Sequence, residues 1–387
     1  MRPGEMAVIG VDALDQLITH LAECGFDTRG PVLRDGAIVP GPVRGVGDLP
    51  RGVHDEASPG RYRTTEGEDD ALFAWAVGPS SWKGEFFPPV QEVWRAKLDP
   101  EGKALTIRTA SDREAPVAIV GARPCEVAAL DILDGVLRRG AVPDPRYSSR
   151  RARAFVIVVE CATPSGTCFC TSMGTGPGAE HGFDLALTEL GEGEAHRFLV
   201  RVGTEQGGAA LDAVEVRAPS GPDTAERDAA LQGARERMVR RVEVDGLREL
   251  LARNIEHPQW EAVAERCLAC GNCTLVCPTC FCSDVRDASD IGGTYRRERV
   301  WASCFDRDHS YLSGNAVRGS TASRYRQWMT HKLSTWWDQF DSSGCVGCGR
   351  CIAWCPVGID ITEEAAAIRR TDGATRSSGR PATEGTP

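Results

Sequence analysis

The sequence predicts an α+β protein in which a mixed α/β N-terminal domain precedes a mainly helical, cysteine-rich domain. Two observations indicate this order. Short apolar, β-branched runs that suit buried strands occur at Pro116–Val120 and Ala154–Val159, in the N-terminal half. Of the 16 cysteines, eleven lie between Cys267 and Cys355, which indicates a local need for sulfur in the C-terminal part.

The first predicted element is an amphipathic helix near the N-terminus. Its apolar residues recur at intervals of three and four: Leu14, Leu17, Ile18 and Leu21. Asp12 can cap the start of this helix, and Gly25 lies where a left-handed residue would end it. From residue 28 to 109, Gly and Pro interrupt short apolar runs such as Leu72–Val77 and Ala104–Ile107, so we expect strands and long loops there.

Each of the two buried strands leads to a cysteine. The run Pro116–Val120 precedes the turn GARPCE, which contains Cys125, and a helix predicted from Val127 to Arg138; the run Ala154–Val159 leads into Cys161. Ligands of open α/β sheets bind at the carboxyl ends of the strands. We therefore expect these cysteines at the edge of a sheet where a ligand would bind.

Composition divides the chain into four segments. We expect the α/β domain at 1–221, a helical connector at 222–256, the helical cysteine-rich domain at 257–370 and a disordered tail at 371–387. The connector is polar and alanine-containing, with Leu247, Leu250 and Leu251 forming an apolar stripe near its end. After Ile368 the chain has almost no apolar residues, which is typical of disorder.

Charge and hydropathy exclude several classes of function. A net charge of −10 argues against nucleic-acid binding, which needs clustered Lys and Arg. No apolar run approaches the roughly 18 residues of a membrane span, and Met1–Gly10 lacks the features of a signal peptide. We expect a soluble, cytoplasmic protein with no nucleic-acid or membrane partner. Disulfides are rare in that reducing compartment, so dense cysteine indicates metal ligation or redox chemistry.

Two segments share one cysteine pattern: CLACGNCTLVCP at 267–278 and CVGCGRCIAWCP at 345–356. Each has the CxxCxxCxxxCP spacing of bacterial ferredoxins, in which three thiolates hold one [4Fe–4S] cluster and the fourth serves the other cluster. Gly271, Gly347 and Gly349 allow the backbone to fold tightly and to point amides at the sulfurs. The sequence therefore predicts a ferredoxin-like domain with two [4Fe–4S] clusters.

The crossed pattern assigns the eight cysteines to two sites. Site 1 consists of Cys267, Cys270, Cys273 and Cys355, and site 2 consists of Cys345, Cys348, Cys351 and Cys277. Four thiolates also suit zinc, so a pair of zinc sites is the alternative. A zinc ribbon, however, uses two CxxC pairs and has no need of a third close cysteine or a following proline. The inserted segment 278–344 distinguishes the chain from small ferredoxins.

A further set, site 3, lies in the N-terminal half: Cys125, Cys161, Cys168 and Cys170. The tetrapeptide TCFC at 167–170 recurs at 279–282, which suggests a reused function. A third [4Fe–4S] cluster is the interpretation we favour, with inert or lone reactive thiols and zinc as alternatives, because free cysteine is commonly buried. Cys280, Cys282 and Cys304 provide only three thiolates. Another cluster there would need His309 or His331, and purely structural thiols fit equally well.

The chain resembles the β subunits of cytoplasmic NAD(P)-linked [NiFe] hydrogenases, also called sulfhydrogenases, and similarly the electron-transfer subunit of anaerobic sulfite reductase. In the C-terminal half the resemblance rests on CLACGNCTLVCPTCFC, RVWASCF and CVGCGRCIAWCPVGID. In the N-terminal half it rests on SSWKGEFFPP, GARPCEVAAL and CFCTSMGTGP. The resemblance thus covers most of the chain, and it includes the long insertion between the two motifs.

This resemblance implies an iron–sulfur electron-transfer subunit. Its partners would be a flavin subunit that reacts with NAD(P) and the small and large hydrogenase subunits, or else the subunits of a sulfite or sulfur reductase. No residue set in the sequence matches a flavin, nickel or siroheme site, so we do not expect catalysis by this chain alone. A zinc-binding scaffold is the alternative from another class of protein, and metal content would separate the two.

Overall fold

The computed structural model describes residues 1–99, 101, 103–109 and 115–373. Within them the N-terminal half is mixed α/β and the C-terminal half is mainly helical, which confirms the predicted fold class. The strands, numbered in chain order, are β1 Met6–Gly10, β2 Asp27–Arg34, β3 Ala37–Pro42, β4 Val53–Ser58, β5 Arg61–Glu66, β6 Val90–Leu98, β7 Leu105–Thr109, β8 Val117–Ala122, β9 Phe155–Val159, β10 Leu185–Leu190, β11 Arg197–Val202, β12 Ser283–Ser289, β13 Thr294–Trp301, β14 Tyr311–Leu312 and β15 Asn315–Ala316.

The helices, in the same order, are α1 Val11–Glu23, α2 Lys83–Phe86, α3 Pro124–Leu137, α4 Pro145–Ala152, α5 Cys170–Met173, α6 Glu205–Leu211, α7 Gly221–Arg237, α8 Leu247–Arg253, α9 Gln259–Ala264, α10 Asn272–Leu275, α11 Thr321–Thr330, α12 Trp336–Phe340, α13 Arg350–Ala353 and α14 Ile361–Arg370. A π-helical turn, His331–Thr335, joins α11 to α12. None of the helices in the described part of the chain has the length and apolar character needed to span a lipid bilayer.

The N-terminal half is built on a sheet with the strand order β1-β11-β10-β9-β8-β2-β3. Its centre is parallel, from β10 through β9 and β8 to β2, and antiparallel strands flank it on both sides. Every residue of β8 and β9 is buried, as expected for parallel strands covered on both faces. Leu14 and Leu17 of α1 belong to the core on one face, and Leu130 and Leu133 of α3 to the core on the other.

The two central strands end side by side. Because β8 and β9 are parallel neighbours, Cys125, in the first turn of α3, and Cys161, two residues beyond β9, lie at the same edge of the sheet. Both cysteines are buried. This is the arrangement that the two apolar runs predicted.

A second sheet connects the two halves of the chain. Its order is β12-β13-β6-β7, and β13 pairs antiparallel with β6. The strands β12 and β13 belong to the inserted segment 278–344, whereas β6 and β7 belong to the N-terminal half. The insertion is therefore hydrogen-bonded to the N-terminal half rather than looping out alone.

The helical C-terminal half has its own core. Helices α8, α9, α11 and α14 contribute its buried side chains, which include Leu250, Leu251, Trp260, Val263, Tyr325, Trp328, Met329, Ile361 and Ile368. Cysteines of both sequence motifs pack against this core. The thiols of sites 1 and 2 thus sit at the margin of an aromatic interior.

Two helix starts differ from the sequence expectation. Helix α1 begins after Gly10 and has no side-chain cap, so Asp12 lies within its first turn instead of capping it, whereas Gly25 has the expected positive φ, +89°. Helix α3 begins at Pro124 rather than Val127. Proline suits the first helical position, and the Glu126 carboxylate accepts a hydrogen bond from the N–H of Arg123 at 3.1 Å, which closes the turn.

The connector and the tail also differ in detail. One helix was expected over 222–256, but α7 ends at Arg237 and the chain is not helical again until α8. In between, Met238 and Val242 are buried, and the Val242 N–H donates to Ser172 Oγ at 3.0 Å. In the predicted tail, Asp372 forms an ion pair with Arg253, and residues 374–387 lie outside the described residues.

Leu72–Val77 is buried but belongs to no strand, contrary to one reading of its apolar sequence. Side chains, rather than a neighbouring strand, provide hydrogen-bond partners for its backbone N–H and C=O groups. The N–H groups of Leu72 and Phe73 donate to the Glu189 carboxylate at 2.6 and 2.9 Å. The Arg123 guanidinium, 1% exposed, donates to the carbonyls of Phe73 (2.8 Å), Trp75 and Ala76 (3.3 Å). Buried backbone groups need such partners.

We predict that Arg123→Met lowers the free energy of unfolding by more than about 3 kcal/mol, because several buried carbonyls lose a charged donor at once. Chemical denaturation followed by circular dichroism measures this. Arg34→Met, at an exposed arginine of β2, is the matched control and should change stability little. Equal stability of the two variants would contradict the role given to Arg123.

Candidate metal centres

The two cysteine motifs fold into the same local structure. In each, a short helix begins directly after a glycine, α10 after Gly271 and α13 after Gly349, and these glycines have φ angles of +77° and +75°. In each, the N–H two residues after the first cysteine donates to the sulfur of that cysteine at 3.4 Å, as Ala269 does to Cys267. Hydrogen bonds to ligand sulfurs tune an iron–sulfur cluster. The sequence repeat is therefore a repeat of structure.

One cavity in the C-terminal half brings together the four cysteines of site 1: Cys267, Cys270, Cys273 and Cys355. Cys355 comes from the second motif, as the crossed pattern requires. The rest of the wall is mostly apolar and includes Phe305, Tyr325 and Trp328. Cys270 is exposed, so site 1 reaches the protein surface.

Site 2 adjoins site 1. Cys351, a member of site 2, also lines the site 1 cavity. Burial raises the pKa of Cys351 well above its usual range, and the nearby thiols of Cys345, Cys348 and Cys277 raise it further. The four thiols of site 2 are therefore close enough to act on one another.

A second cavity, at the carboxyl edge of the large sheet, is lined by the four cysteines of site 3: Cys125, Cys161, Cys168 and Cys170. Cys348 of site 2 lines the same cavity. Met238, from the non-helical part of the connector, closes another side of it. Site 2 consequently lies between site 3 and site 1.

Backbone contact joins site 2 to site 3. The N–H of Phe169 donates to the carbonyl of Gly347 at 2.8 Å. A Cβ on Gly347 would lie 2.7 Å from the Cα of Cys170, and a Cβ on Gly349 would lie 2.3 Å from the carbonyl oxygen of Thr167. Both glycines also have positive φ angles, so no other residue fits these positions without strain.

Burial controls the protonation of site 3. It raises the pKa of all four thiols, that of Cys170 to about 12 and those of Cys125 and Cys168 well above the usual range. A free thiolate is therefore disfavoured in this cavity. A metal that binds here must displace the protons and must itself supply the charge that stabilises the thiolates.

Two buried lysines surround Cys277 of site 2. Lys332 is 3% exposed, and its Nζ lies 3.0 Å from Cys277 Sγ and 3.2 Å from Thr279 Oγ1. Lys83 is 2% exposed, and its Nζ donates to the carbonyls of Cys277 and Cys280 at 3.0 and 3.1 Å. Among the residues that the structure describes, neither lysine has a carboxylate partner.

The π-helical turn explains why Lys332 points inward. Such a turn shifts the register of the helix, and here the three consecutive residues Lys332, Leu333 and Ser334 are all buried. Turns of this kind frequently occur at functional sites.

Arg350 lies between sites 2 and 3 and is 2% exposed. It forms an ion pair with Glu126 at 2.5 Å and donates to the Gly78 carbonyl at 2.9 Å, while its Nη1 has no hydrogen-bond partner in the described part of the chain. Burial opposes its charge, but Glu126, Cys348 and Cys125 together raise the pKa of Arg350. Arg350 therefore places a positive charge next to thiols of both site 2 and site 3.

These observations test whether iron–sulfur clusters fit the sites. A [4Fe–4S] cluster held by four thiolates is an anion, and buried lysines that lack carboxylate partners need an anion near them. The thiols of sites 1 and 3 line cavities. Across the described ranges, no three Cys, His, Asp or Glu side chains are placed to hold a single metal ion. The donors and the charges therefore fit [4Fe–4S] clusters.

The remaining cysteines of the insertion lie at the base of the β12–β13 hairpin. The register opposes Ser283 to Trp301, which brings Cys282 and Cys304 together. Hydrogen bonding from Cys304, aided by His309, lowers the pKa of Cys282 to about 4. The other histidine considered from sequence, His331, instead packs on a tryptophan ring.

Sequence reasoning missed Lys332, Lys83 and Arg350. A signal existed for two of them. Lys332 is the one charged residue in the apolar and aromatic stretch from Trp328 to Trp337, and Arg350 occupies the position in the second motif that Asn272 occupies in the first. A charge that interrupts an apolar run, or that breaks the symmetry of a repeat, is worth testing as part of a site.

Comparison with known proteins agrees with the geometry. A family model described as a 4Fe-4S dicluster domain matches residues 266–359. The chain is 34% identical over 260 residues to the sulfhydrogenase 2 subunit beta of Pyrococcus furiosus, an alignment that covers 65% of this chain and 74% of the relative. No solved structure matches the chain.

The match to the dicluster domain spans both cysteine motifs and the insertion between them, and it implies iron–sulfur clusters. The alignment with the Pyrococcus protein extends over about three quarters of that relative. The chain belongs to the family of sulfhydrogenase β subunits and is an iron–sulfur electron-transfer subunit.

Proposed function

We propose that this subunit carries electrons between a flavin subunit that reacts with NAD(P) and the small and large subunits of a [NiFe] hydrogenase, with [4Fe–4S] clusters at sites 1, 2 and 3. One observation carries the proposal. Cys351 of site 2 lines the cavity of site 1, and Cys348 of site 2 lines the cavity of site 3. Three four-cysteine sites therefore form a continuous series from the N-terminal half to the surface at Cys270.

When bound, a [4Fe–4S] cluster accepts and releases one electron at a time. The protein supplies the surroundings of each site. Phe305, Tyr325 and Trp328 form part of the apolar wall of site 1, and the thiols of site 3 are buried. The N–H groups of Ala269 and Gly347 donate to the first sulfur of their motifs.

Other steps belong to partner subunits. Hydride from a nicotinamide carries two electrons, and a cluster needs a two-electron mediator such as flavin to receive them singly. The proposal gives that step to a flavin subunit. The electron-transfer subunit of an anaerobic sulfite or sulfur reductase would use the same cysteines, but the identity with a sulfhydrogenase β subunit favours the hydrogenase assignment.

We predict that Cys270→Ser and Cys348→Ser each damage a different cluster, because the crossed pattern puts them in sites 1 and 2. Anaerobically purified protein should contain about eight iron atoms for this pair of sites, and each variant should lose part of them. Iron analysis and electron paramagnetic resonance measure this. Cys24→Ser, at an exposed cysteine, is the control. Full iron and unchanged spectra in both variants would show that the assignment is wrong.

For site 3, we predict that Cys168→Ser in the full-length chain lowers the iron content by about four atoms. Because burial raises the pKa of the four thiols, metal uptake displaces protons and should become more favourable as the pH rises from about 7 to about 9. Reconstitution with iron and sulfide at several pH values measures this. Unchanged iron in Cys168→Ser would exclude a cluster at site 3.

We predict that the purified subunit is reduced by dithionite, a one-electron reductant, but not by NADH or NADPH until a flavin partner is added. Anaerobic absorption spectra follow the bleaching of the clusters. Bleaching by NADPH in the absence of flavin would mean that this chain contains a nucleotide site of its own.

A further inference from the structure

We propose that Lys332 raises the reduction potential of site 2 above that of site 1, so that of these two sites an electron rests at site 2. The proposal rests on the proposed function, since it takes the cluster assignment from there, and it deepens that function by assigning unequal roles to sites 1 and 2.

The two motifs differ at the sulfur of their fourth cysteine. Cys355, which serves site 1, accepts a hydrogen bond from the backbone N–H of Ile359 at 3.3 Å. Cys277, which serves site 2, instead has the Lys332 ammonium group at 3.0 Å. The fourth cysteines of the two motifs therefore differ in their surroundings: Cys277 has a positively charged group beside its sulfur, and Cys355 has a neutral backbone N–H.

Other charges near the two sites do not cancel this difference. On the site 1 side, the Arg324 guanidinium donates to the carbonyl of Phe305 at 2.9 Å and not to a sulfur. On the site 2 side, Arg350 is paired with Glu126 at 2.5 Å, which offsets its charge. Lys83 also has no carboxylate partner among the described residues, but its ammonium group donates to backbone carbonyls and lies over the Trp301 ring. Arg350 also lies next to a ligand sulfur, that of Cys348, but of these two cations Arg350 is paired with Glu126, whereas Lys332 has no carboxylate partner among the described residues.

The sign of the effect follows from electrostatics. Reduction adds a negative charge to a cluster, and a nearby positive charge stabilises the reduced form, which raises the potential. Burial of site 2 works in the opposite direction, since a poorly solvated site disfavours extra charge. The same burial keeps water and salt from screening Lys332. Because the ammonium group touches a ligand atom, the attraction is the larger effect.

The test is a redox titration of the anaerobic full-length protein with dithionite, followed by electron paramagnetic resonance. Lys332→Gln keeps a hydrogen-bond donor but removes the charge, so the midpoint potential of one cluster should fall while the others stay in place. The shifted signal should be the one that Cys348→Ser alters. Lys332→Arg keeps the charge and should stay near the native value. Lys103→Gln, at an exposed lysine, should change nothing.

Iron analysis of the same samples separates the two proposals. A Cys348→Ser variant with full iron and unchanged spectra defeats the cluster assignment and hence the proposed function. With the assignment intact, a Lys332→Gln variant that retains its iron and shows no shift, or equal shifts of all clusters, overturns the role of Lys332. A shift of the midpoint potential in Lys332→Arg as large as that in Lys332→Gln also overturns the role of Lys332. Should Lys332→Gln lose iron, Lys332→Met, an apolar side chain of similar length, is judged by the same criteria.

Discussion

The backbone of Gly347 and Gly349 packs directly on the backbone of Thr167–Cys170, and the arrangement of the three sites depends on that contact. It brings a loop of the N-terminal half against the second cysteine motif. Cys348 can face the site 3 cavity only because the residues on both sides of it have no side chain. The contact therefore sets the distance between sites 2 and 3 as well as the fit of the two halves.

Local patterns predicted much of this structure. The apolar runs of β8 and β9, and the placement of Cys125 and Cys161 beyond them, follow from periodicity and from the rules of parallel sheets. The spacing of the two motifs likewise predicted a dicluster domain, which the family comparison supports. These features depend on residues that are close together in the sequence.

The features that sequence reasoning missed depend on residues that are far apart. Leu72–Val77 reads as a strand, yet its hydrogen-bond partners are the side chains of Glu189 and Arg123, which no local pattern reveals. After the break that follows α7, Met238 lies in the wall of site 3, a contact that the local sequence does not reveal. Burial of Lys332 depends on a π-helical turn that propensities do not predict. In each case a long-range contact overrides the local preference.

The four-stranded sheet has a consequence for how the chain is made. Strand β6 pairs with β7 soon after both are synthesised, but β13, its other neighbour, follows some two hundred residues later. At ordinary rates of translation this delay is on the order of ten seconds or more. During that time one edge of β6 is open to other nascent chains. Arg95 and Lys97 on this strand are exposed, and charged side chains of this type reduce aggregation at an unpaired strand edge.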